Sequence, residues 1–388
     1  MNAEQAFCAV QNIQAKTTIA NIDTGIDPNH PDLSSKIVNP INFTSSDPND
    51  YIDENGHGTF TAGIAAAITN NKMGIAGASY NTANIIPIRA GDANGRFTLL
   101  AVVQGIFYAI SQHATVINMS IGFSEFFTSM QLAINQAWEH GIILVASAGN
   151  NGNEQPNYPA ACNYVLAVSA TNLQDTSAFF STWGLSVGIT APGQQIVSTT
   201  PTYPTNLFDQ TFYSAGNGTS FSAPFVSGVA AMLKTIKPEA SNQQIIQILQ
   251  QSASNFNITK KQWNPFYGYG ILNMSDAVEL LLNPQFAPGA VGSFYGQVIT
   301  SSGLSIGDVI IIAVNNNPRP GTEALERIYT TKFIADDPAT IDGMFRLVNL
   351  PLGNYSIYYD SRSPQNLLIP SLDVVRGADV YLQLVIPF

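Results

Sequence analysis

Gly216-Asn217-Gly218-Thr219-Ser220-Phe221-Ser222-Ala223-Pro224-Phe225-Val226-Ser227-Gly228-Val229-Ala230-Ala231 is the stretch from which the rest of the chain can be read. Small residues crowd one serine, and an apolar helical pattern follows. A serine in the first turn of a helix lies among free backbone N–H groups, at the positive end of the helix dipole. That place suits a nucleophile whose reaction builds an oxyanion. Taken alone, a Thr-Ser pair ahead of a helix is more often a plain N-cap. Its meaning depends on what surrounds it in the chain.

Working outward, strands and helices alternate. Thr17–Asp23 reads as a buried strand ending in an aspartate, and Thr24-Gly25-Ile26-Asp27-Pro28 turns away from it. Thr59–Ile68 is an Ala-rich helix preceded by Gly56-His57-Gly58. Ala83–Arg89, Ala114–Met119, Gly141–Ala146 and Tyr164–Ser169 are strand-like, with helical spacing over Leu99–Ile110 and Met130–His140 between them. Thr219–Ile236, Asn242–Gln251 and Ser275–Leu282 close this part as helices. Apolar strands without alternation, separated by helices, predict a parallel sheet covered on both faces, a three-layer α/β domain over 1–283. The texture changes at Asn283-Pro284-Gln285-Phe286-Ala287-Pro288-Gly289, so 284–291 reads as a linker. Beyond it come short β-rich runs: Ser293–Ile299, Asp308–Val314, Ile328–Ile334, Tyr355–Tyr359 and Val380–Ile386. They predict a small all-β sandwich over 292–388.

Composition narrows the function classes. The 388 residues are 45% hydrophobic but only 11% charged, so the polar surface must come from Asn, Gln, Ser and Thr. The net charge of −11 and the absence of any basic run argue against nucleic-acid or anionic-membrane partners. No apolar run approaches the length of a membrane span. Met1–Phe7 lacks the basic and apolar pattern of a signal peptide. The two cysteines, Cys8 and Cys162, form neither a disulfide framework nor a zinc motif; they either pair or are both buried thiols.

Three segments belong with Ser220. Asn21-Ile22-Asp23-Thr24-Gly25-Ile26-Asp27 places an aspartate at the carboxyl end of a central parallel strand, where open α/β sheets hold their sites. Asn55-Gly56-His57-Gly58-Thr59 sets a histidine between glycines at a helix start. Ala146-Ser147-Ala148-Gly149-Asn150-Asn151-Gly152 is a tight turn after a buried strand. Each is unremarkable alone: a turn aspartate, a structural histidine, a Gly-Asn turn.

Asp-Thr-Gly, Gly-His-Gly-Thr, Ala-Gly-Asn and Gly-Thr-Ser-Phe-Ser-Ala-Pro occur in the order found in the subtilisin-like serine proteases, and residues 17–282 resemble that family. The resemblance implies a secreted serine endopeptidase. Ser220 would attack the peptide carbonyl, His57 would take and return the proton, and Asp23 would hold the imidazole. Asn150 would join the Ser220 N–H in binding the oxyanion. Phe221 stands where many members carry methionine, which removes an oxidisable thioether beside the serine. Phe60 and Phe225 stand where many carry histidine.

The resemblance also implies that substrate backbone adds as a strand between two enzyme edges, Ser120-Ile121-Gly122 and Asn94-Gly95-Arg96. Ala148, Gly149 and Asn157 would line the pocket for the residue before the cut. None is charged, so large apolar or aromatic side chains should be preferred there. Phe97 would wall a second apolar pocket. Structural calcium is implied at Asp32 and the side chain of Asn71, with carbonyls of Thr69, Met73 and Ile75 completing oxygen coordination. Gln5 is the available substitute for the N-terminal segment that helps close such a site. Members usually have an inhibitory prodomain upstream, which these residues do not include. A monomer acting on protein or peptide substrates is expected.

Residues 290–388 resemble carboxypeptidase-regulatory or prealbumin-like sandwiches. The resemblance is carried by Gly296-Gln297-Val298 and by Asp342-Gly343-Met344-Phe345-Arg346-Leu347-Val348-Asn349-Leu350-Pro351-Leu352-Gly353-Asn354-Tyr355. An accessory or stabilising module is implied. Two alternatives to a broad endopeptidase stay open: a processing protease of narrow specificity, and a non-catalytic scaffold on the same fold.

Overall fold

The computed structural model describes residues 1–11, 13, 17–184, 186–254, 265–283, 291–303, 310–316, 329–332, 344–351, 353–359, 364–374 and 379–386. Among them, contacts group the chain into two compact units, one up to residue 283 and one from 291 onward. The stretch read as the linker, 284–291, lies outside the described residues except for its last residue.

The first unit runs α1 (Ala3–Cys8), β1 (Thr17–Asp23), β2 (Ile41–Asn42), α2 (His57–Ala66), β3 (Ala83–Arg89), α3 (Leu99–Ser111), β4 (Val116–Met119) and α4 (Thr128–Glu139). It continues with β5 (Ile143–Ser147), β6 (Val165–Thr171), β7 (Val187–Pro192), β8 (Ile196–Thr200), β9 (Phe212–Gly216), α5 (Thr219–Ile236), α6 (Asn242–Gln251) and α7 (Met274–Leu282). Seven strands form a sheet in the order β2-β3-β1-β4-β5-β6-β7, with every pairing parallel. Strand β1 is interior. The chain first builds outward from it through β3 and β2, then on its other side through β4. The order therefore reverses between β1 and β4, and open α/β sheets form a crevice beyond the strand ends at such a point.

The strands are apolar without alternation because both faces are covered. Successive strand residues point to opposite faces. Asn21 reaches the backbone and side chains of α2, whereas the next residue, Ile22, lies with Ile88 beneath Gly105 of α3. Helices α2 and α3 thus cover opposite faces. Helix α5 packs beside α2 and across β1 and β4–β7, while α3 and α4 pack on each other. The predicted three layers are present. No helix among the described residues is long and apolar enough to cross a membrane.

Several elements were not visible in the pattern. β2 is two residues long, β7 is broken in texture by Gly188 and Thr190, and the β8–β9 hairpin is separate from the main sheet. Helix α2 begins at His57, two residues before the predicted start, because Gly56 caps it at φ +100°. Cys8 and Cys162 are both free, and Cys8 is exposed, so the two cysteines neither pair nor share burial.

The second unit holds β10 (Val291–Thr300), β11 (Ile310–Asn315), β12 (Tyr329–Lys332), β13 (Met344–Pro351), β14 (Gly353–Tyr359), β15 (Leu367–Val374) and β16 (Asp379–Ile386). They form a three-stranded sheet, β13-β10-β16, and a four-stranded sheet, β12-β11-β14-β15. Val298, Leu382, Leu384 and Ile386 of the first join Ile311, Ala313, Tyr355 and Ile357 of the second in one buried cluster. Asp308, Val309, Ile328, Phe333, Ile334, Asp342, Gly343 and Leu352, which belonged to the predicted runs and motif, lie outside the described residues.

Candidate active site

Asp23 is the last residue of β1 and is fully buried. Its Oδ1 accepts the backbone N–H of Thr24 at 2.8 Å and meets His57 Nδ1 at 2.7 Å; its Oδ2 accepts the Thr61 hydroxyl at 3.0 Å. An ionised carboxylate only accepts hydrogen bonds, so Nδ1 carries the proton and Nε2 of the neutral ring is left as a base. The helix start that presents His57 is tied down by Asp53. That buried carboxylate accepts Gly56 N–H at 2.8 Å, Thr59 N–H at 2.7 Å and the Thr59 hydroxyl at 2.7 Å. Gly58 comes so close to β1's turn that an added Cβ would stand 2.2 Å from the Gly25 carbonyl oxygen.

The His57 pKa lies above 6.5. Burial is the largest single influence and pulls it down, but it is outweighed by the Asp23 charge, the Asp23 hydrogen bond and the nearby Asp53 charge. The ring centroid lies 5.7 Å from that of Phe221, which packs with Phe60 and Ile64 in a buried apolar cluster. Phe60 stacks on Phe208 at 5.0 Å and meets Phe221 at 4.2 Å.

Ser220 is the second residue of α5, and its side chain is partly exposed. Pro224 inside this helix has no N–H to give to the carbonyl four residues earlier, so the Ser220 carbonyl has no α-helical partner. The Ser120 hydroxyl fills the gap at 2.8 Å. In return the Ser220 hydroxyl donates to the Ser120 carbonyl at 3.3 Å. Among the described residues no hydrogen bond joins Ser220 Oγ to His57.

Asn150, exposed at the turn after β5, has its side-chain oxygen held by both the N–H and the hydroxyl of Thr219, at 2.8 and 2.9 Å. Its amide N–H groups are thereby turned away from Thr219. Thr219, which also accepts the Gly149 N–H at 3.1 Å, orients this turn. It escaped sequence reasoning although it is the neighbour of the key serine.

Of the expected substrate-binding residues, Ser120, Ile121 and Gly122 directly follow β4 beside the serine helix, with Ser120 and Ile121 buried. Gly122 and Gly149 both approach Asn157, at 2.4 and 3.3 Å from the positions an added Cβ would take. Ala148, buried, adjoins them. Asn94 and Gly95 lie in the loop between β3 and α3. They sit in a turn closed by Asp92, whose side chain accepts the N–H groups of Asn94 and Arg96, and whose carbonyl accepts that of Gly95. The N–H groups of residues 94–96 are thus engaged within this turn. Phe97 lies over Gly91.

The expected cation ligands converge in part. Asp32 is fully buried and in contact with the Asn71 side-chain amide. It also accepts the Ile75 N–H at 3.0 Å and the Tyr213 hydroxyl at 3.0 Å, so Ile75 arrives by its N–H. The Met73 N–H donates to Asn71 Oδ1 at 3.2 Å. The Thr69 carbonyl accepts the Asn81 amide at 2.8 Å. Gln5 is engaged elsewhere, accepting the Ser275 hydroxyl at 2.7 Å.

A buried acid–histidine pair lies at the end of interior strand β1, and a helix-borne serine lies beside the residue that follows β4. The subtilase family pattern matches residues 14–270, and this chain belongs to that family. It is a serine-type endopeptidase, and its substrates are proteins or peptides. Thermitase of Thermoactinomyces vulgaris is 41% identical over 263 residues, covering 68% of this chain and 89% of thermitase. The thermophilic serine proteinase of Bacillus sp. (strain AK1) is 40% identical over 260 residues, 67% of this chain and 61% of that protein. Subtilisin DY of Bacillus licheniformis is 35% identical over 269 residues, 68% of this chain and 92% of its own.

Proposed function

We propose that this endopeptidase cleaves through Asp23, His57 and Ser220, with Asn150 and the Ser220 N–H binding the oxyanion. The observation that carries the reading is the 2.7 Å contact of His57 Nδ1 with Asp23, which leaves Nε2 as the base, while α5 holds Ser220 beside the residue that follows β4. The Ser220 hydroxyl turns from the Ser120 carbonyl to Nε2, loses its proton there and attacks the substrate carbonyl. The imidazolium, stabilised by Asp23, then protonates the leaving amine, and water repeats the sequence on the acyl-enzyme. Labelling with a serine-directed fluorophosphonate tests this. Ser220→Ala should abolish both labelling and peptide hydrolysis, and a normally labelled Ser220→Ala protein would refute the assignment.

The residue before the cut is proposed to be large and apolar or aromatic. Gly122, Ala148, Gly149 and Asn157 bring no charge to their shared pocket, and Ser120–Gly122 supplies an edge for the substrate backbone. A cleavage profile on a peptide library should peak at Phe, Tyr, Leu or Met. A maximum after lysine or glutamate contradicts the pocket.

A structural calcium ion is proposed at Asp32. Its support is a fully buried carboxylate for which no ion pair occurs among the described residues, beside Asn71, whose amide nitrogen donates to it and would have to turn its oxygen inward to ligate. Asp32 and Asn71 would hold it. Secretion, a monomeric state and an accessory role for a sandwich domain from about residue 292 complete the proposal. One relative is named the minor extracellular protease Epr of Bacillus subtilis (strain 168).

A further inference from the structure

We propose that Thr61 and Asn21 are positioning residues of this reaction, the active end of a chain of buried hydrogen bonds whose donors run outward from Asn118, one arm ending on the Asp23 carboxylate and the other on the Ser220 carbonyl. The inference rests on the triad reading above. The chain starts at the Ser220 carbonyl, left without a helical partner by Pro224 and bound by the Ser120 hydroxyl at 2.8 Å. Ser120 Oγ accepts Asn118 Nδ2 at 3.1 Å, and Asn118 Nδ2 also donates to Asn21 Oδ1 at 2.9 Å. Asn21 and Asn118 are registered partners on β1 and β4. Asn21 Nδ2 donates to Thr61 Oγ1 at 3.0 Å and to the Gly58 carbonyl at 3.2 Å. Thr61 Oγ1 then lies 3.0 Å from Asp23 Oδ2.

The directions are forced. The Gly58 carbonyl can only accept, so Asn21 must present its amide nitrogen to α2 and its oxygen to Asn118. Asn21 Oδ1 in turn can only accept, so Asn118 gives it Nδ2, and Asn118 Oδ1 accepts the Ser227 hydroxyl at 2.8 Å. The Thr61 hydroxyl has one proton and two candidate acceptors, Asp23 Oδ2 and the Gly58 carbonyl at 3.1 Å. Asn21 already serves that carbonyl and fills a lone pair of Thr61, so the proton goes to the carboxylate. Asn21, Thr61, Asn118, Ser120 and Ser227 are all buried, and in a dry setting an unpaired member is costly. The donor on Oδ2 holds the rotation of Asp23 that brings Oδ1 to the imidazole.

The charged groups around His57 are few. On β1 there is Asp23, and ahead of α2 there is Asp53. On β3 there is Arg89, which is engaged by Glu54 and Asp50. Helix α5 carries only Lys234, in its last turn, and β8 carries no charge. A change at Thr61 therefore acts on His57 through Asp23. Losing the Thr61 donor leaves more negative charge on the carboxylate and makes His57 harder to deprotonate.

The test is steady-state hydrolysis by the full chain of a peptide with an apolar residue before the cut, across pH. In Thr61→Val, kcat should fall roughly tenfold with KM nearly unchanged, as for one lost hydrogen bond to a charged group. The acid limb should move up by about half a pH unit. Thr61→Ser should restore both. Thr61→Val with parental kcat and acid limb overturns the proposal, as does a kcat loss with an unmoved limb that Thr61→Ser fails to rescue. If Thr61→Val does not melt cooperatively, Asn21→Val decides on the same readouts, with shifts of the same sign. Ser220→Ala is the control: full turnover there removes the triad reading and this one with it. An inactive Ser220→Ala beside an unaffected Thr61→Val removes this one alone.

Discussion

His57 has burial pulling its proton off and two carboxylates holding it on, and the carboxylates prevail. The general base must be neutral at the moment Ser220 gives up its proton. Protonation is therefore inhibitory, and a raised pKa moves the acid limb of kcat/KM upward. We predict that kcat/KM rises with pH through a midpoint above 6.5, and that activity disappears as pH falls through it. A pH–rate profile on a substrate without ionisable groups measures this directly. A midpoint below 6.5 would mean that Asp23 and Asp53 do not act on the ring as their positions require.

At the level of elements, two devices serve the site. Pro224 removes one hydrogen bond near the start of α5, and the freed Ser220 carbonyl becomes an anchor for the chain segment after β4. The loop from Thr69 to Ile75 wraps Asp32 with left-handed backbone at Asn70 and Lys72, φ +66° and +65°. Such a loop gains stability from any ion that binds only the folded form. If calcium occupies Asp32 and Asn71, EDTA should lower Tm by about 5 °C or more, and added calcium should restore it. In Asp32→Asn the chelator should have no further effect. An unchanged Tm in the parent protein would show that the Asn71, Ile75 and Tyr213 donors suffice.

At the scale of the whole molecule, every proposed catalytic group lies in the unit ending at residue 283, and that unit has its own parallel sheet and buried core. A protein truncated after Asn283 should melt cooperatively and still hydrolyse the peptide substrate. Full loss of activity with a native circular-dichroism spectrum would assign the second unit a direct part in catalysis. The Val298–Ile386 cluster gives that second unit a core of its own, which is the physical ground for expecting the two to fold separately.

Much of this was legible because local rules suffice for it. Unbroken apolar strands such as Ile143–Ser147, alternating with helices, dictate a parallel sheet buried on both faces. Asp23, His57, Ser220 and Asn150 stand out because each occupies a strand end, helix start or turn with a distinctive short motif. The sequence by itself thus determined the layers and the candidate chemistry. Thr61, Asn21 and Asn118 lie outside the short motifs, and Thr219 lies inside one that does not name its partner. Their meaning arises from hydrogen bonds between residues 40 to 97 positions apart in the chain. The turn at Asn94–Gly95 was likewise decided by Asp92, whose side chain claims donors that spacing alone would leave free. Only the tertiary structure could decide these points, because a buried polar group takes its role from the partner that folding places against it.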